Sequence, residues 1–117
     1  EVIGPKLMVE VATTVDVFAF AVTVWWMLHR SDPYPNLSEP QILLNVYQNG
    51  LRPTISDKCP LRIKALIMDC WLENPSKRPT MIEVLQRLTD IKLLKHTYQT
   101  TVLPLNTENT KVVEEKQ

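Results

Sequence analysis

Glycine is nearly missing from this chain of 117 residues, which has two, Gly4 and Gly50. A phosphate cradle needs several glycines close together, so that backbone N–H groups converge on the anion. Two distant glycines cannot build one, and no Walker-type motif is present. Cysteine is equally scarce. Cys59 and Cys70 are the two present, a poor disulfide framework for a chain this size. They read as free thiols in a reducing compartment. Neither sign of charge is in excess: 13 basic residues cancel 13 acidic ones. No net field then draws nucleic acid or an anionic membrane. His29, His96, Cys59 and Cys70 do not fall at metal-ligand spacing. Glu1-Val2-Ile3-Gly4 has neither the basic region nor the long apolar run of a signal peptide. Asn36-Leu37-Ser38 matches a glycosylation sequon, unsupported by any other sign of secretion. The expectation is a cytoplasmic chain with neither nucleic acid nor membrane as partner.

Hydrophobic residues make up 44% of the chain, enough for the core of one small domain. The stretch from Asp16 to Leu28 is apolar on every face. A helix of that kind is enclosed by protein or lies in lipid. From Val17 to Leu28 is about a dozen residues, short of the roughly 20 that a membrane span needs. The expectation is therefore a central buried helix, N-capped by Asp16 and closed by His29-Arg30.

Residues 1 to 14 show no clear period. Without a start methionine, the opening reads as a piece of something longer. Ser31-Asp32-Pro33-Tyr34-Pro35-Asn36 is a loop held extended by its prolines. Ser38-Glu39-Pro40-Gln41 forms a capping box for a second helix, which ends at Asn49-Gly50. Its stripe is Ile42, Leu43, Val46 and Tyr47. A third helix runs from Pro60 to Leu72, with Ile63, Leu66, Ile67, Cys70 and Trp71 spaced three and four apart. Thr80-Met81-Ile82-Glu83 opens a fourth, carrying Met81, Val84, Leu85, Leu88 and Ile91, which fades near Leu94 or Lys95. The remainder is polar, aperiodic and broken by Pro104. There are no repeats and no convincing strands. The reading is all-α: about four helices over 1–95 and a flexible polar tail over 96–117.

Chemistry-bearing residues each have a plainer role. Asp16 as a general base competes with Asp16 as a cap. Trp25 and Trp26 as stacking platforms compete with packing in an apolar helix. Cys70 lies on an apolar stripe with no histidine near it in sequence, which suits a core thiol better than a nucleophile. His29 at a helix end suits a capping cation.

The order of motifs resembles the C-terminal half of a protein kinase domain, of the tyrosine-kinase or tyrosine-kinase-like type. Asp16-Val17-Phe18-Ala19-Phe20-Ala21-Val22-Thr23-Val24-Trp25 is similar to the family's central-helix motif, commonly Asp-Val-Tyr/Trp-Ser-Phe-Gly, an apolar pair and Leu-Trp-Glu. Pro33-Tyr34 fits the loop after it, and Gly50-Leu51-Arg52-Pro53 the segment after the next helix. Asp69-Cys70-Trp71 followed by Asn74-Pro75-Ser76-Lys77-Arg78-Pro79-Thr80 resembles the Cys-Trp, Asp-Pro, Arg-Pro signature. The resemblance covers residues 1 to 92.

The resemblance implies several things. The fold would be the helical C-lobe portion of a kinase. Glu1 would end the Ala-Pro-Glu motif and pair with Arg78, with Trp71 and Pro79 as shields. Asp16 would hold the catalytic loop of an intact domain, and Trp25 would sit in the central helix. The second helix would dock partners through Ile42, Leu43, Val46 and Tyr47; the alternative is that all four are core. An intact parent would use ATP and Mg to phosphorylate Ser/Thr or Tyr. The parts that do so are not in this sequence: the Gly-rich loop, the ATP-pairing Lys, His-Arg-Asp with its Asn, and Asp-Phe-Gly. No catalytic, cofactor or metal residue is assigned here. The partners expected are the remainder of the kinase domain and protein substrates or regulators. Ala19, Ala21, Trp26 and Arg30 depart from the usual Ser, Gly, Glu and Gly. They leave a pseudokinase or truncated paralogue, acting as a scaffold, as the alternative.

Overall fold

The computed structural model describes residues 5–94. Glu1 and the expected tail over 96–117 lie outside the described residues.

The first helix, α1, spans Pro5–His29, 25 residues. Its start differs from the expectation of a cap at Asp16. Proline suits a first turn, because its missing N–H is not needed there. Between Lys6 and Val15 no glycine or proline interrupts, so the helix continues unbroken into the apolar stretch. The hydroxyls of Thr13 and Thr14 donate back to the carbonyls of Glu10 and Val11, both at 2.9 Å. Asp16 therefore sits inside the helix, exposed, and is not a cap.

The second correction concerns enclosure. Residues Met8–His29, 22 in all with mean hydropathy 1.7, are long and apolar enough to cross a membrane by length and composition. Length therefore no longer separates α1 from a spanning helix. Only 17% of that window is buried, so α1 is not surrounded either. Val17, Ala21 and Trp25, four apart, form its buried stripe, while Met8, Val11, Val15, Trp26, Met27 and Leu28 stay exposed. The reason is size. At 1.5 Å per residue α1 is about 37 Å long, whereas helices of ten residues reach about 15 Å.

Those shorter helices are α2, Glu39–Gln48, and α3, Leu61–Cys70. The capping box of α2 is formed: Gln41 N donates to Ser38 Oγ at 3.4 Å, and Ser38 N donates to Gln41 Oε1 at 2.9 Å. Gly50 follows at φ +68°, letting Leu51 N reach back to Asn45 O at 2.9 Å. Helix α3 packs on α1. It buries Leu66, Ile67 and Cys70, and Trp71 closes it, also buried. A 3₁₀ turn over Pro75–Lys77 follows, capped by Asn74, whose Oδ1 accepts from Ser76 N at 3.0 Å.

The fourth helix, α4, covers described residues 81–94. Thr80 Oγ1 accepts from Glu83 N at 3.2 Å, as its capping box requires. The chain divides into two compact units, Glu1–Val84 and Leu85–Gln117. Val84 is buried in the first. In the second, Thr89 donates its hydroxyl to Leu85 O at 2.9 Å. Among the described residues there is no strand.

Candidate functional site

Two arginines on one aromatic ring tie the first unit together. Phe18 lies next to the buried stripe of α1. Arg52 comes from the extended segment after α2, and its Cζ stands 4.9 Å from the Phe18 ring centroid. Its Nε donates to Trp71 O at 2.7 Å, and its Nη1 to Val46 O at 3.1 Å and Leu51 O at 2.8 Å. Trp71 and Val46 lie at the C-terminal ends of α3 and α2. A guanidinium suits both, because helix ends present unpaired carbonyls and partial negative charge. One side chain thus joins the ends of two helices to the face of a third.

Arg78, from the Arg-Pro pair after the 3₁₀ turn, also stands 4.9 Å from the same ring. Its Nε donates to Leu72 O at 2.8 Å and its Nη1 to Thr14 O at 3.0 Å. Burial, and then the like charge of Arg52, hold the Arg78 guanidinium below its ordinary range. The ring's negative faces offset part of that repulsion. The Glu1 carboxylate expected to pair with Arg78 lies outside the described residues. Trp71 is buried beside this cluster and Pro79 half-buried. Trp25 is buried, and its Nε1 donates to Thr54 O at 2.9 Å. Nothing in the cluster is an acid, a base or a nucleophile free to react. Its work is to hold helix ends in place.

The other side of α1 is open. Phe18, Ala19, Val22, Thr23 and Trp26 of α1, Pro33 and Tyr34 of the loop, and Ile42, Leu43, Val46 and Tyr47 of α2 line a groove of about 470 Å³. All four residues expected to dock a partner therefore meet at one place. They are not all core: Val46 is buried and Ile42 half-buried, but Leu43 is 59% and Tyr47 69% exposed. No charged side chain lines the groove. Trp26 contributes to that, since the resembling pattern carries Glu at its position. Burial raises the Tyr34 phenol above its ordinary value, with Arg52 pulling it partly back. An uncharged, apolar groove binds by burying apolar surface rather than by pairing charge.

Sequence reasoning missed Arg52 as an organising residue. The signal was there in Gly50-Leu51-Arg52-Pro53, where a cation directly follows a helix C-terminus. Cys70 is buried and Cys59 half-buried, and neither forms a disulfide. Among the described residues no three His, Cys, Asp or Glu side chains converge as metal ligands.

Comparison with known proteins agrees with this arrangement. Residues 6–88 match the family described as protein tyrosine and serine/threonine kinase. The chain is 38% identical over 73 residues to the probable serine/threonine-protein kinase drkC of Dictyostelium discoideum, covering 62% of this chain and 10% of that protein. It is 40% identical over 72 residues to the dual specificity protein kinase shkB of the same organism, covering 60% and 11%. It is 34% identical over 79 residues to the light-sensor protein kinase of Ceratodon purpureus, covering 68% and 6%. The chain thus spans about a tenth, or less, of the length of these relatives. On the match over residues 6–88, with both arginines of the matched segments seated on the helix that opens them, the chain belongs to the protein tyrosine and serine/threonine kinase family.

Proposed function

We propose that this chain is the helical C-terminal segment of a tyrosine-kinase-like catalytic domain. Its parent transfers a phosphoryl group from ATP–Mg to protein Ser/Thr or Tyr in the cytoplasm. In that parent α1 is the scaffold beneath the catalytic loop, and its exposed apolar faces are covered by the remainder of the domain. One observation carries this reading. The Arg-Pro signature and the central-helix motif, far apart in sequence, meet at Phe18 through Arg78. The groove between α1 and α2 offers protein substrates or regulators an apolar docking surface.

The chain alone is expected to bind no ATP, with or without magnesium. Its sequence carries no glycine cradle, no phosphate-pairing lysine and no paired metal carboxylates in register. Calorimetry at micromolar nucleotide checks this, and saturable heat would overturn it. The reading of the parent is tested by sequencing the coding region upstream and assaying the whole protein. Intact His-Arg-Asp and Asp-Phe-Gly with ATP-dependent phosphorylation of a protein substrate support an enzyme. Loss of both, with no transfer, supports a pseudokinase scaffold. That second reading draws on Ala19, Ala21, Trp26 and Arg30, which depart from the usual central-helix pattern.

A further inference from the structure

His29 is the last residue of α1. Its ring lies flat on Trp25 one turn back, with centroids 4.2 Å apart and planes 8° from parallel. The Nδ1 atom is 2.9 Å from Trp25 O, and Nε2 is 2.9 Å from the backbone N of Ser56. These two partners leave no choice of tautomer. A carbonyl oxygen only accepts, and a backbone N–H only donates. Nδ1 must therefore carry a proton, and Nε2 must be bare. The imidazolium has a proton on both nitrogens, so its Nε2–H would face the Ser56 N–H, donor against donor.

We propose that His29 is a pH-operated clasp between the end of α1 and the turn that leads into α3. The neutral ring holds Ser56, and the protonated ring releases it. An imidazole changes charge between about pH 5 and 8. The bond needs a bare Nε2, so it is lost when the ring takes up a second proton. The ionisable residues adjoining the contact in sequence are Arg30 and Asp32 after α1, and Asp57 and Lys58 after Ser56. None of them is bonded to the ring, and Asp32 Oδ1 accepts from Tyr34 N. Among the described residues no carboxylate is hydrogen-bonded to the ring.

Release stays local. Thr54 remains tied to α1 through Trp25 Nε1, and Arg52 remains tied to Trp71 O. The freed part is the turn from Ser56 to Cys59. There Cys59 N donates to Ser56 O at 3.0 Å and Lys58 N to Ser56 Oγ at 3.2 Å. Acidification thus loosens the entry to α3 while its buried face stays packed.

The test uses the whole ¹⁵N-labelled chain. Ring ¹⁵N–¹H correlation at about pH 7.5 is expected to show the Nδ1–H tautomer at His29. Hydrogen exchange at Ser56, corrected for intrinsic rate, is expected to lose about three- to tenfold protection on going to pH 5, what one hydrogen bond supplies. Leu66 and Ile67 amides should keep theirs. In His29→Leu the Ser56 amide should be unprotected at both pH values, although His96 is still present. An Nε2–H tautomer at neutral pH overturns the proposal. So does Ser56 protection that is constant with pH, or a pH response that survives in the variant. The tautomer is read on the unaltered chain, so a variant that failed to fold would leave that outcome intact.

Discussion

The two sides of α1 are made of the same kind of residue and have different fates. Toward α3, Val17, Ala21 and Trp25 are sealed by Leu66, Ile67, Cys70 and Trp71, all buried. Toward α2, Ala19, Thr23 and Trp26 stay exposed and line a groove. The stretch carries no charge between Asp16 and Arg30, so polarity does not choose the inner face. The neighbour does. Helix α3 lays its apolar stripe directly on α1, and Arg52 and Arg78 fasten the ends of the arrangement to Phe18. Helix α2 is fastened at its C-terminal end, where Arg52 takes the carbonyl of buried Val46. Its outward residues Leu43 and Tyr47 remain open. The sealed side supplies stability, and the open side leaves apolar side chains in contact with solvent.

The largest effect expected of this contrast is in the sealed side. Leu66→Ala should lower unfolding free energy by about 2–5 kcal/mol, because a buried leucine leaves both lost burial and a cavity. Denaturant titration followed by circular dichroism measures it. A loss no larger than that of Leu43→Ala on the groove side would abolish the distinction.

Next comes the clamp. Arg78→Ala removes two charged hydrogen bonds to carbonyls and one contact with the Phe18 ring, and should cost about 1–3 kcal/mol. Lys77→Ala, on an exposed neighbour, should stay within about 0.5 kcal/mol. Arg78→Lys should fail to restore the loss, since a single ammonium cannot reproduce the planar fork. Equal melting temperatures for the alanine variants would mean the clamp contributes nothing.

A smaller effect, of opposite sign, is expected where α1 stops. Arg30 has φ +50° and donates its N–H to Trp26 O at 2.8 Å. That is the left-handed helix-ending position at which glycine is at ease and a side chain is strained. Arg30→Gly should therefore raise stability by about 0.5–1 kcal/mol, the relief of strain exceeding the loss of a cation near the helix end. A thermal melt that falls instead would show that the Arg30 side chain holds something in place.

The smallest change in stability is expected in the groove. Tyr47→Ala should move stability by less than about 0.5 kcal/mol, as for an exposed position without a special role. Pull-down with a protein that the parent binds should nonetheless weaken clearly. A variant that unfolds would put Tyr47 in the core and close the groove as a docking surface.

Much of this architecture was legible in the residues. Ser38 and Gln41 announce the start of α2, and both bonds of their box are made. Thr80 caps α4 as its spacing with Glu83 suggests. Of the stripe Ile63, Leu66, Ile67, Cys70 and Trp71, the last four are buried as the three-and-four spacing requires and Ile63 is half-buried. These features rest on residues within one or two turns of each other, so local chemistry settles them. The start of α1 was misplaced for a related reason. Asp16 has the chemistry of a cap, but Pro5 and an unbroken run after it carry the helix back another three turns, and a weak period gave no sign of it.

The motifs carry the chain's membership of the kinase family, and with it the order of the helices; the seat of Arg78 on Phe18 and Thr14 was not among the expectations and came from the packed fold. Tertiary structure alone decided which side of α1 is closed. A helix apolar all round has no face marked as inner, so coverage depends on which partner reaches it and how long that partner is. It also decided the part played by Arg52, whose acceptors come from three places in the chain. Local sequence fixes where hydrogen bonds along the backbone begin and end; only the packed fold brings Trp71, Val46 and Phe18 within reach of one guanidinium.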